Sequence, residues 1–99
     1  MGHKVIWTDE AIADLRQLVA FISSDNPAAA IKLGETLIQK SIILAGHPRL
    51  GRMLRESRKD TLRELVIPPY RLIYEIDDSI QTVRVWVLWH GARQEPGIK

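Results

Sequence analysis

The chain has 99 residues, 45% apolar and 26% charged, with a net charge of +2 and no cysteine. That size suits one core and one site, and the lack of thiols excludes disulfides, thiolate zinc centres and cysteine nucleophiles. No run of about 18 apolar residues is present to cross a membrane, the first residues lack a signal-peptide pattern, and His3, His47 and His90 are too scattered for a metal motif. The expectation is therefore a single cytoplasmic domain over 1–99, with no metal and no cofactor.

KVIW (Lys4–Trp7) reads as a short strand, followed by Thr8 as a helix N-cap with Asp9 and Glu10 at the positive end of the helix dipole. Ile12, Leu15, Leu18, Val19 and Ile22 recur every three or four residues, which predicts an amphipathic helix over 9–23. SSDNP ends it and starts another, with Asn26 as cap and Pro27 in the first turn. Three alanines, then Ile31, Leu37, Ile38, Ile42 and Ala45, carry the second helix towards Gly46, a length of about 28 Å. So short a link makes the two helices an antiparallel hairpin with one apolar side to bury. Ser23 and Ser24 lie where side chains bond the end of a helix, with no base nearby to make them nucleophiles.

Charge is unevenly spread. Residues 1–48 hold four Lys/Arg against five Asp/Glu, and residues 49–99 hold ten against seven. In RLGRMLRESRK, Arg49, Arg52, Arg55 and Arg58 fall three apart with Lys59, for a local charge of +4. Such a stretch is either a solvated connection or a handle for phosphate or an acidic partner. Leu50, Met53 and Leu54 among the arginines favour a loop that is partly docked.

RELVI, YRLIYEID and IQTVRVWVLWH are β-branched and aromatic, separated by Pro68-Pro69 and Asp77-Asp78-Ser79, and predict a three-stranded antiparallel meander. Simple alternation in the last strand puts Val83, Val85, Val87 and Trp89 beneath the helices and Arg84, Trp86, Leu88 and His90 on the opposite, open face. In the middle strand it puts Leu72, Tyr74 and Ile76 inward, and Arg71, Ile73 and Glu75 on the face expected to hold His90. Trp86 and Leu88 would then form an exposed apolar patch, a mark of an interaction surface. Glu64 and Glu75 are expected to pair with arginines on neighbouring strands, the alternative being a general base near Arg71.

The order strand, helix, helix, basic loop and meander, together with HPRLGR (47–52), LRELVIPPYRLIYEID (62–77) and VLWHGAR (87–93), resembles the RelE/ParE toxins of bacterial type II toxin–antitoxin pairs. The resemblance spans about 5–93. It implies a two-layer α+β domain, with an N-terminal strand and a helical hairpin packed on a mostly antiparallel sheet. It also implies a cognate antitoxin whose C-terminal segment folds on binding beside the hairpin, with Leu18, Ile22, Trp86 and Leu88 as expected contacts.

RelE-like members are ribosome-dependent mRNA endoribonucleases, and ParE-like members inhibit DNA gyrase. Arg71 and Arg93 match positions where the former keep phosphate-binding arginines, with His90 available for proton transfer. The tail ARQEPGIK lacks the late tyrosine or histidine of many RelE-like enzymes, which favours the ParE-like branch. In that branch no catalytic residue is assigned, and Arg49, Arg52, Arg55, Arg58, Arg71 and Arg93 are expected to face the target. A third reading is a non-toxic member that keeps only antitoxin binding.

Overall fold

The computed structural model describes residues 2–54, 57 and 59–90. The elements run β1 (Lys4–Trp7), α1 (Asp9–Ser23), α2 (Pro27–Ile42), β2 (Arg52–Met53), β3 (Leu62–Ile67), β4 (Tyr70–Asp77) and β5 (Thr82–His90), with a 3-10 turn at Ile43–Ala45. They form one five-stranded sheet in the order β1-β5-β4-β3-β2, with the two helices packed on it. The α+β architecture, the hairpin and the antiparallel meander agree with the sequence reading. β1 lies parallel to β5, pairing Lys4 with Thr82 through Trp7 with Val85.

Local chemistry sets the element ends. Thr8 Oγ1 accepts the Ala11 N–H at 3.1 Å and Asn26 Oδ1 accepts the Ala29 N–H at 3.1 Å, so each cap satisfies one orphan donor of its helix. Ser24 Oγ donates to the Phe21 carbonyl at 2.7 Å, the helix-end role expected of it. α2 tightens into the 3-10 turn three residues short of the predicted α-helical end. Ile80 and Gln81, read as strand, belong to the β4–β5 turn, where Gln81 takes a φ of 52°. β2 was not foreseen: two residues of the basic stretch pair with Arg63 and Glu64, and Leu54 just beyond is buried, so residues 52–54 are docked.

The core lies between helices and sheet in two parts. Ala11, Leu44, Leu72, Tyr74, Ile76, Val83 and Val85 form the first, and Leu37, Tyr70 and Leu88, flanked by Leu15, Leu18 and Leu33, form the second. Trp7 touches both and donates its indole N–H to buried Ser41 Oγ at 3.1 Å. Each large side chain removed from water here contributes roughly 1.5–3 kcal/mol.

One irregularity redirects the far half of β5. Ile73 faces Val87 but Tyr74 faces Val85, so Trp86 is an extra residue, a β-bulge. A single inserted residue exchanges the faces of everything beyond it. Val83 and Val85 point to the helices as predicted. Leu88, expected on the open face, is instead 7% exposed and packs with Leu37 and Tyr70. Trp89, expected beneath the helices, lies opposite Arg71 on the open face, and Val87 shares that side.

Candidate functional site

The start of the basic stretch, around Pro48 and Gly51, is held by its backbone. Tyr74 Oη, in the core, accepts the Gly51 N–H at 2.9 Å and donates to the Pro48 carbonyl at 2.6 Å. Burial pushes the Tyr74 phenol above its ordinary range, opposed by the Gly51 N–H, so it stays neutral and able to donate. Arg63 adds a guanidinium clamp on the Gly51 carbonyl at 2.9 Å and the Asp60 carbonyl at 2.7 Å. Arg49 is thereby presented outward, where its Nη2 meets Asp78 Oδ2 at 3.0 Å. His3 Nε2 reaches the other oxygen of Asp78 at 2.9 Å.

On the open sheet face, Glu64 is the centre of an arginine cluster. Its Oε2 accepts from Arg52 Nε at 2.6 Å and its Oε1 from Arg71 Nε at 2.6 Å, with a second contact from each guanidinium. Glu64 is 3% exposed, and Arg71 is 21% exposed with its guanidinium stacked 4.6 Å from the Trp89 ring centre. A desolvated carboxylate needs such pairing, and the fork geometry of arginine supplies it. The expected cross-strand pairing of Glu64 is therefore present. Glu75 instead accepts the Trp86 indole N–H at 3.2 Å. Arg71, placed by the sequence reading on a target-facing surface, is mostly covered and engaged.

The bulge also separates the residues proposed for RNA chemistry. Arg71 stands opposite Trp89 on the open face, and His90 stands opposite Tyr70, packing edge-on against it at 5.3 Å between ring centres on the helix side. The expectation that Arg71 and His90 share one face is thus overturned, since neighbouring residues of a strand point to opposite sides. Arg55, Arg58 and Arg93 lie outside the described residues. Among the described residues, no group of three His, Asp or Glu is placed to hold a metal ion, and no helix is long and apolar enough to cross a membrane.

His90 opens onto a groove of about 280 Å³ between α1 and the end of β5, lined also by Asp14, Gln17, Leu18, Phe21, Tyr70 and Leu88. Leu18 was anticipated at such a surface, and Leu88 reaches it as the floor. Ile22 is half-buried on the same helix, whereas Trp86 is exposed on the other side of the molecule from Leu88. Phe21, 77% exposed, was not singled out. Nor was Asp14, whose Oδ2 accepts the Leu88 N–H at 3.1 Å. The signal for Asp14 was an acid within the apolar stripe of α1, between Ala11 and Leu15.

Burial pushes the Asp14 carboxyl above its ordinary range, opposed by the Leu88 N–H and assisted by the charge of Glu10. Asp78 behaves oppositely, lowered first by the Arg49 hydrogen bond and then by His3. A raised carboxyl favours the fold in its protonated form, at low pH, and loses that contribution as pH rises through its folded value. A lowered carboxyl contributes above the ordinary carboxylate range and loses that as pH falls. Asp14→Asn keeps an acceptor for Leu88 and is expected to raise Tm at pH 7, with the gain vanishing below the ordinary carboxylate range. Asp78→Asn is expected to lower Tm at pH 7 and to flatten its decline in acid. Thermal unfolding between pH 3 and pH 7 checks both, and a gain for Asp14→Asn that grows in acid would contradict the assignment.

The sequence profile of the ParE toxin of the type II toxin-antitoxin system parDE matches residues 5–95. Toxin RelE2 of Caulobacter vibrioides is 35% identical over 91 residues, which is 91% of this chain and 97% of that protein. Among solved structures, the chromosomal ParDE system of P. aeruginosa superposes with a TM-score of 0.73 at 18% identity, covering 89% of this chain and 95% of that one. The RelBE2 toxin-antitoxin complex of Mycobacterium tuberculosis superposes with a TM-score of 0.68 at 26% identity, covering 91% and 99%.

Proposed function

The chain belongs to the RelE/ParE family of type II toxin–antitoxin toxins, and from that premise we propose that it inhibits DNA gyrase in the cytoplasm and is neutralised by a cognate antitoxin. The observation that carries the choice of target is the division of Arg71 from His90 by the sheet. Cleavage at a ribose 2′-hydroxyl needs a base, a phosphate-binding cation and an acid converging on one phosphodiester. Here the cation is committed to Glu64 and Trp89 on one face, and the imidazole packs on Tyr70 on the other. A stoichiometric inhibitor needs no such convergence. It needs a surface, and the outward Arg49 and Arg52 on a loop fixed by Tyr74 provide its basic part.

The antitoxin is assigned to the helix side, where Leu18 and Phe21 border the groove ending in His90. Toxin–antitoxin complexes of the same fold, RelBE2 among them, support a partner of this kind.

A supercoiling assay with purified gyrase tests the target directly. Loss of supercoiling and accumulation of cleaved DNA are expected at saturating toxin, and unchanged supercoiling would end the gyrase reading. In cells, expression without antitoxin is expected to give filamentation and a DNA-damage response. Prompt translation arrest with cleaved mRNA would instead support the ribonuclease, and unimpaired growth the non-toxic reading. His90→Ala is expected to leave growth inhibition largely intact, whereas a ribonuclease relying on it would lose roughly 10²-fold or more in rate.

A further inference from the structure

Among the described residues, the second half of β5 has no strand beside it on the α1 side. β1 stops at Trp7, opposite Val85, and beyond that point side chains of the α1 segment occupy the edge. Thr8 Oγ1 donates to the Trp86 carbonyl at 3.5 Å, and Asp14 Oδ2 takes the Leu88 N–H at 3.1 Å. An incoming strand could claim the Leu88 N–H only by displacing Asp14, so the edge is guarded against strand addition. The groove above it favours a helix laid along α1.

Asp14 also fixes the chemistry of that helix. It accepts a hydrogen bond from the Leu88 N–H, no cation among the described residues pairs with it, and Glu10, one turn earlier, adds negative charge. A purely apolar segment laid over Leu18, Phe21 and Tyr70 would strip the remaining water from this carboxylate and leave an uncompensated charge. A partner that brings a cation converts that cost into a charge-assisted hydrogen bond.

We propose that the groove takes an amphipathic helix of the antitoxin that sets a lysine or arginine against Asp14, with apolar side chains against Leu18 and Phe21. This rests on the antitoxin reading above and sharpens it. The antitoxin segment that lies along α1 thus carries a cation where it meets Asp14.

The test is isothermal titration calorimetry of the full chain with its full-length cognate antitoxin, for the native toxin, Asp14→Asn and Phe21→Ser, at two salt concentrations. Circular dichroism serves as the folding control. Asp14→Asn is expected to weaken binding about 10-fold or more and to reduce its salt dependence, and Phe21→Ser to weaken it with the salt dependence retained. Removing the matching antitoxin cation should then cost nothing further in the Asp14→Asn background. If Phe21→Ser weakens binding and Asp14→Asn does not, the antitoxin occupies the groove without a cation on Asp14, and this proposal fails alone. If neither variant alters affinity, the groove is not the docking site and the antitoxin assignment falls with it.

Discussion

Gly51→Ala is expected to lower the unfolding free energy by about 2–3 kcal/mol and Tm by on the order of 10–20 °C. A Cβ at this position would stand 2.5 Å from the Glu64 carbonyl oxygen, 2.7 Å from Tyr74 Oη and 2.9 Å from the Glu64 carbonyl carbon. Two of those atoms are sheet backbone, so the clash is relieved only by moving β2 off β3. The same shift lengthens the bond from the Gly51 N–H to Tyr74 and loosens the presentation of Arg49 and Arg52. Tyr74→Phe is the milder companion, with an expected loss of about 1–3 kcal/mol from a buried N–H and carbonyl left without their hydroxyl. Urea unfolding checks both. A Gly51→Ala protein as stable as the native one would mean that the close approach of loop and sheet is not a constraint.

Glu64→Ala is expected to be as damaging, costing about 3 kcal/mol, because it removes the carboxylate that the largely covered guanidinium of Arg71 engages beside Trp89. Arg52 loses the same carboxylate but is mostly exposed and rehydrates cheaply. The diagnostic comparison is the double variant with Arg71→Met. Removing both members takes away the guanidinium together with its carboxylate, and methionine can lie on the Trp89 ring, so the double variant should recover part of the loss. If the two losses simply add, the cluster is not the coupled unit its geometry implies.

The elements legible in the sequence were those whose cause is local. Thr8 and Asn26 announce their helices because a cap is a short-range hydrogen bond, and Pro68-Pro69 and Asp77-Asp78-Ser79 mark turns for the same reason. The orientation of Leu88, Trp89 and His90 was misread because VRVWVLWH is apolar in both phases of its alternation. Nothing within it says where the phase slips. That information lies in the pairing with Ile73 and Tyr74 across the sheet. The charge of the basic stretch was visible at once, whereas Glu64 and Asp78, which engage Arg52 and Arg49, come from 12 and 29 residues away. Asp14 was legible in principle, as an acid in an apolar stripe, but its significance depends on the edge of a strand 74 residues later.

The parallel pairing of β1 with β5 bears on how the molecule comes into being. Lys4 meets Thr82, and Trp7, which joins both halves of the core, meets Val85, so the first strand to be synthesised waits for the last. Until β5 has emerged, the helical hairpin has no finished floor to settle on. The bulge at Trp86, the groove and the anchoring of Leu88 to Asp14 all arise in that final step. Such distant closure slows folding relative to a chain of local contacts, and it places completion of the sheet at the end of biosynthesis. A polypeptide cut short before Thr82 has no neighbour for β1 and cannot complete the sheet.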